Sequence, residues 1–201
     1  HFFYGSDELD HLKQNDLRLA RAIDRIGIIR RTVEPDFFTA ITRSIIGQQV
    51  STKAQDTIFG RLLDLVGILT PEAVLRLSLD ELHGVGMSFR KAGYIQEIAK
   101  KIVSGQLNPT LFASMSDDEV IRELVSLKGV GVWTAEMILI FCLQRPDVVS
   151  YGDLGIHRGM KLLYGLEEIS KERFEEIRAR YTPYGSVASL YLWAIAQGVL
   201  S

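Results

Sequence analysis

The sequence predicts an almost purely α-helical protein, and three observations carry that expectation. Apolar residues recur at helical spacing, as in Phe38, Ile41, Ile45 and Ile46, and strict period-two alternation is hard to find anywhere. Helix-start signals recur along the chain: Thr70-Pro71 pairs an N-cap with a proline at the first helical position, and Ser78 to Glu81 and Ser116 to Glu119 both fit the capping-box spacing. Residues 137–143 and 190–195 are apolar nearly all the way round, which places them in helices at the centre of a globule.

The helices so marked are short and individually capped. A chain of 201 residues, 47% of them hydrophobic, buries a substantial core in one domain or two small lobes, which excludes a disordered chain. No apolar run is long enough to span a bilayer, and the start has neither a basic n-region nor a small-residue cleavage site, so a soluble, cytoplasmic protein with no membrane partner is expected. The chain opens on His1, not Met, so His1 reads as the remnant of a tag or a truncation and residues 1 to about 4 are expected to be extraneous. Cys142 sits in an apolar stretch and is the only cysteine, so it reads as a buried small hydrophobe and cannot form an intramolecular disulfide or a multi-cysteine metal site.

A net charge of −2 and a pI near 6.1 are not those of a strongly basic nucleic-acid binder. Basic residues gather locally, as Arg18, Arg21, Arg25, Arg30 and Arg31 and again as Arg90, Lys91, Lys100 and Lys101, and the plain reading of such clusters is a solvated helix face. Charge alone does not exclude nucleic acid, because backbone amides and a few placed cations can hold phosphates.

A near-repeat stands out. Leu82-His83-Gly84-Val85-Gly86 and Leu127-Lys128-Gly129-Val130-Gly131 share the pattern L-x-G-V-G, 45 residues apart, each after a capped helical segment and before another helix. Glycines in such a turn allow positive φ and close approach to a ligand, and the N–H groups that open the second helix form a phosphate site without a cationic side chain. A tight helix-turn-helix packed on itself fits the spacing equally well.

The longer string from Leu127 to Ala135, L-K-G-V-G-V-W-T-A, resembles the L-P-G-[IV]-G-x-x-T-A hairpin of the helix-hairpin-helix DNA base-excision glycosylases. Three further segments are similar to that superfamily in the same order. Ile45-Ile46-Gly47-Gln48-Gln49-Val50-Ser51 resembles the segment carrying the residue pushed into the duplex. The loop Pro146 to Gly152 leads to Asp153 at the spacing of the family's aspartate, with Arg158 beyond it. Tyr181-Thr182-Pro183-Tyr184-Gly185-Ser186 is similar to the W-x-P-[WY]-R-S signature of the alkylated-base (3-methyladenine DNA glycosylase II) branch, with Gly185 where Arg is usual. The resemblance covers residues from about 35 onward and is to a compact form lacking the N-terminal β-rich domain of larger relatives.

The resemblance implies one glycosylase domain over residues 1–201, built as two interlocked helical lobes with the active site in the cleft between them. The central lobe would span about 40–145 and the second about 1–35 plus 146–201. It implies a monofunctional enzyme that hydrolyses the N-glycosidic bond of alkylated purines in duplex DNA, the first step of base excision repair, acting as a monomer in the cytoplasm or nucleoid of a bacterium or the nucleus of a eukaryote. Asp153 would be the catalytic carboxylate, Gln49 the wedge with Gln48 beside it, and Trp133, Trp193, Tyr151, Phe37 and Phe38 the aromatic candidates for holding an extruded, electron-poor base. Gly129, Val130, Gly131 and Thr134 in the hairpin, with Ser51 and Arg158, would contact the DNA backbone. No cofactor is implied: a single cysteine cannot hold the four-cysteine iron–sulfur cluster of other members, while the carbonyls of Val125, Leu127 and Val130 are candidates for a sodium or potassium ion when DNA is bound. Bifunctional members carry a nucleophilic lysine where this chain has Trp133, so water would be the nucleophile.

Two other readings fit parts of the pattern. Asp153 follows a loop and precedes a helical stretch, so it also reads as an N-cap, and both roles are compatible. A same-fold glycosylase for another damaged or mismatched base, or a non-catalytic hairpin module that binds duplex backbone, would share the hairpin but not the full set of motifs.

Overall fold

The computed structural model describes residues 1–199, and every regular element among them is helical. Twelve α-helices run in chain order: α1 (Ser6–Asn15), α2 (Leu17–Ile26), α3 (Phe37–Gly47), α4 (Thr52–Val66), α5 (Pro71–Leu75), α6 (Leu79–Gly84), α7 (Phe89–Val103), α8 (Asp117–Val125), α9 (Val132–Phe141), α10 (Leu154–Tyr164), α11 (Lys171–Arg178) and α12 (Gly185–Ala196), with a 3-10 turn at Pro109–Ser114. The start signals act as expected. Thr70 caps α5 ahead of Pro71, and Ser78 with Glu81 and Ser116 with Glu119 close full capping boxes on α6 and α8. None of these helices is long and apolar enough to cross a membrane.

The chain divides into two compact units. One comprises Glu34–Ile138, and the other His1–Val33 with the chain from Leu139 onward. The division falls inside α9, one of the two segments that are apolar all round, so a single continuous helix supplies core to both units.

In the unit Glu34–Ile138, α7 packs against α5, α6 and α3, and α3 against α4. Its interior is aliphatic and aromatic: Ile41, Ile45, Leu62, Leu82, Ile95 and Phe112 are buried, with Phe37 edge-on to Phe112 at 5.2 Å between ring centroids. In the other unit, α12 lies between α2 and α10, and nearly all of its residues are buried. There Asp16 caps α2 through the N–H groups of Arg18 and Leu19 while accepting the Tyr164 hydroxyl at 2.7 Å and Arg180 at 3.2 Å. Burial pushes the phenols of both Tyr164 and its partner Tyr181 well above the ordinary tyrosine value, so they serve as neutral hydrogen-bonding groups.

The opening residues make contacts with the rest of their unit. Phe2 is 6% exposed, its N–H donates to the Arg31 carbonyl, and the Tyr4 hydroxyl donates to the Ile29 carbonyl at 2.7 Å. Phe2 therefore joins the core, while Phe3 beside it is exposed.

Candidate active site

In the unit containing α10 and α12, Asp16 is taken up by Tyr164 and Arg180, whereas Asp153 is held by a main-chain N–H and an indole. The backbone at Asp153 is extended (φ −88°, ψ 114°), which turns its side chain back over the start of α10, where Oδ1 accepts the Ile156 N–H at 2.9 Å. The same oxygen accepts the indole Nε1–H of Trp193, also at 2.9 Å. Asp153 is only 7% exposed, and its partner ring is stacked on Phe141 with centroids 5.7 Å apart. The approach of α12 depends on the absence of a side chain at Gly155: a Cβ there would fall 2.8 Å from Trp193 Cδ1 and 3.0 Å from Asp153 Oδ1. The carboxylate is thus oriented from two sides, by a main-chain N–H and by an indole.

Beside it lies an open cavity of about 510 Å³ lined by Tyr151, Gly152, Leu154, His157, Arg158 and Lys161. Tyr151 and His157 meet edge-on, both pack on Phe174, and His157 Nε2 is bonded to the Tyr151 carbonyl at 2.7 Å. A larger cavity in this unit, about 600 Å³, is lined by Arg18, Arg21, Arg25 and aliphatic residues, none of them among the expected site residues.

The unit Glu34–Ile138 carries the hairpin and the glutamine turn. After α8 the chain closes with the Val130 N–H on the Leu127 carbonyl at 3.1 Å, Gly129 takes φ +82°, and α9 begins directly after Gly131. A Cβ on Gly129 would lie 2.2 Å from the ring of Tyr94, whereas a Cβ on Gly131 would meet nothing within 4 Å. Only one of the two glycines is therefore required by the turn itself. At the end of α3, Gln49 is exposed with φ +57°, an uncommon conformation for a non-glycine residue, while Gln48 is turned inward and donates from Nε2 to the Gly129 carbonyl at 2.7 Å. Ser51 caps α4 and lines a cavity of about 440 Å³ together with Lys53, Thr57, Arg61 and Gly86.

The expected site residues thus fall in two groups. Asp153, Trp193, Tyr151 and Arg158 gather around the start of α10; Gln48, Gln49, Ser51 and the hairpin belong to the other unit. Trp133, in the first turn of α9, is 46% exposed. Phe37 and Phe38 are 6% and 4% exposed and are placed as core side chains of α3, and Thr134 is buried on α9. For the carbonyls of Val125, Leu127 and Val130, the donor set is neutral oxygen, which suits a hard monovalent ion; the Leu127 oxygen already accepts Val130 N–H but retains a second lone pair. Gly185, where the resemblance leads to the expectation of Arg, donates its N–H to Asp147, and a Cβ there would fall 2.6 Å from Asp147 Oδ1 and 2.7 Å from Val149 Cγ2. The loop occupies the room that a side chain would need. Gly155 and Lys91 were missed from the sequence, because each gains its place from a contact distant in the chain, with Trp193 and with the end of α3; His157 and Lys161, which line the cavity with Tyr151, carry no sequence signal of their own.

An all-helical chain with a glycine hairpin between two helices is the architecture that the helix-hairpin-helix repair proteins are named for. The chain matches the HhH-GPD superfamily of base excision DNA repair proteins over residues 42–183 and belongs to that family. Among curated relatives, DNA-3-methyladenine glycosylase 1 of Schizosaccharomyces pombe is 31% identical over 194 residues, covering 92% of this chain and 83% of its own. Among solved structures, DNA-3-methyladenine glycosidase of Bacillus halodurans superposes with a TM-score of 0.86 at 38% identity, covering 95% of this chain and 89% of that one. The Schizosaccharomyces pombe 3-methyladenine DNA glycosylase, solved in complex with abasic DNA, gives 0.82 at 28% identity, covering 94% and 96%.

Proposed function

We propose that this protein is a monofunctional DNA glycosylase that releases alkylated purines of the 3-methyladenine type from duplex DNA, beginning base excision repair. The observation that carries the reading is the setting of Asp153, buried at the start of α10 with Oδ1 held by the Ile156 N–H and the Trp193 indole.

Cleavage of the bond from C1′ to the base nitrogen sends the electron pair to the base and leaves an oxocarbenium-like sugar. A base already cationic through alkylation leaves neutral, with no proton needed. Asp153 supplies the anion that stabilises the sugar cation and receives the proton of the water that adds to C1′. Trp193 keeps the carboxylate aimed, Trp133 and Tyr151 offer exposed aromatic faces for the extruded base, Gln49 fills the vacated stack, and the main chain of the hairpin with Ser51 and Arg158 takes phosphates. The carbonyls of Val125, Leu127 and Val130 would hold a monovalent ion against the hairpin; the hydrolysis itself uses no cofactor. The protein would act as a monomer on duplex DNA in the cytoplasm or nucleoid, or in the nucleus of a eukaryote.

Asp153→Asn keeps the shape and the helix cap while removing the charge. It should fold and bind DNA yet lower single-turnover excision of 3-methyladenine by about 100-fold or more; activity near that of the unaltered chain would sink the assignment. With Trp133 where bifunctional relatives carry lysine, the product should be an intact abasic strand, and borohydride should trap no protein–DNA adduct.

A further inference from the structure

Helix α7 carries Lys91, Tyr94 and Glu97 at successive intervals of three residues, on one face of the helix. Each ends on a segment that the glycosylase reading gives to DNA. Lys91 Nζ donates to the carbonyls of Ile46 at 2.8 Å and Gln48 at 2.6 Å, at the end of α3. The Tyr94 ring occupies the space that a Cβ on Gly129 would take. Glu97 pairs with Lys128 at 3.1 Å. The two segments are also tied directly, through Gln48 Nε2 and the Gly129 carbonyl.

Lys91 is not a solvated face residue. Partial burial first, and the neighbouring Arg90 second, hold its ammonium below the ordinary lysine value, and it is kept in place by two charge-assisted bonds to main-chain oxygens. Those oxygens lie where a helix end lacks partners for its carbonyls and favours a cation. The Gln48 carbonyl belongs to the peptide plane against which the φ of Gln49 turns, so pinning it fixes the left-handed conformation of Gln49, which costs about 1–2 kcal/mol for a residue with a Cβ.

We propose that Lys91 is a positioning residue for base extrusion: by holding the end of α3 it keeps Gln49 in the conformation from which that side chain enters the duplex, and through Gln48 and Gly129 it sets Gln49 in fixed register with the hairpin. The proposal rests on the reading of Gln49 as wedge and of the hairpin as phosphate contact. Lys91 itself touches no DNA in this scheme.

The test uses the full chain and Lys91→Met, which keeps the aliphatic stem and removes the donors. Two duplexes are compared under single turnover: one with 3-methyladenine paired and stacked, the other with the same lesion opposite an abasic position, where little stacking has to be replaced. Excision from the first should fall about tenfold, the factor that corresponds to that conformational cost, and excision from the second should change less than about twofold. Lys91→Arg should restore the paired substrate. In a Gln49→Gly background Lys91→Met should add no further loss, because no side chain is left to position. Should Lys91→Met melt below the assay temperature, Lys91→Gln, with one amide donor, takes its place. Equal loss on both duplexes, no loss on the paired one, or additive effects in the double variant would each overturn the proposal. If the unaltered chain excises nothing, the glycosylase reading fails on its own. Fluorescence of 2-aminopurine next to the lesion then still reports unstacking, which Lys91→Met should diminish; an unchanged signal would again overturn the positioning role.

Discussion

In the turn between α6 and α7, Gly84 is the last residue of its helix and Gly86 takes the positive φ, +113°; in the turn between α8 and α9 the left-handed residue is the first glycine, Gly129 at +82°, and Gly131 lies outside that region. The same five-letter pattern is therefore read in two ways. The first turn is closed by its surroundings: His83 Nδ1 is bonded to the Met87 carbonyl, its ring stacks on Phe89 at 4.1 Å, and Ser88 caps α7 through the Lys91 N–H. The second passes straight from Gly131 into α9, with no side chain on the preceding residue to cover the helix start. One turn packs helices, and the other is the one that the proposed function gives to the DNA backbone. The difference lies in the three residues after the pattern, M-S-F against V-W-T, and in the side chain packed beneath it, Ile58 under Gly86 and Tyr94 under Gly129.

The largest effect expected from this comparison is at Gly129. Valine there would carry a Cβ into the Tyr94 ring and hold it at a φ that β-branched residues avoid, so a loss of about 3 kcal/mol or more is expected, together with affinity for every duplex. Gly86→Val, with its nearest contact at 3.2 Å from Ile58, should destabilise by about 1–3 kcal/mol yet leave the duplex affinity of the folded protein unchanged. Thermal melting and fluorescence anisotropy separate the two, and equal binding defects would erase the distinction between the turns.

Gly131→Val sharpens the same contrast. Its Cβ enters open space, so stability should stay within about 0.5 kcal/mol while affinity weakens uniformly across sequences and lesions, because backbone rather than base edges is contacted. A defect confined to one lesion would place Gly131 in the base pocket instead.

Gly84→Ala should go the other way. Inside α6, with nothing near its Cβ, alanine is expected to stabilise by about 0.5–1 kcal/mol, read as a rise in melting temperature. Were the turns equivalent, it would destabilise as Gly129→Ala must.

The smallest effect concerns the capping boxes that the repeats share. Glu81 and Glu119 are each held below the ordinary carboxylate value, first by the Ser78 or Ser116 N–H and then by that serine's hydroxyl. A depressed carboxylate contributes stability above its unfolded value and loses it as pH falls through the folded one. Acidification through that window should loosen the first turns of α6 and α8 alike in amide exchange, and an unequal response would show that the helices are capped differently.

Much of this architecture is legible locally. Caps at Ser78, Ser88, Ser116 and Asp153 act on N–H groups two or three residues on, and periodicity marks the buried face of α3 and the all-round burial of α12, because these depend on side chains a turn away. Local pattern does not show how the opening residues are held, because the Phe2 N–H and the Tyr4 hydroxyl reach the Arg31 and Ile29 carbonyls only after the chain has returned. It also offers Phe37 and Phe38, behind the two tryptophans, as ring faces for a base, and only the structure shows that they are buried and Trp133 exposed.

By itself the sequence determined the helical class, the starts of α5, α6 and α8, the presence of Asp153 ahead of α10 and a family membership that four motifs in order carry. Only the tertiary structure decided that Trp193 bonds to Asp153 across 40 residues, that Gly155 is bare so that the indole can approach, that loop 146–149 fills the space beside Gly185, and that Lys91 serves the end of α3 rather than solvent. The physical reason is range. Capping and periodicity are settled within one or two turns of chain, whereas the partner of a buried polar group, and the room left beside a glycine, are settled by whichever distant segment packs there.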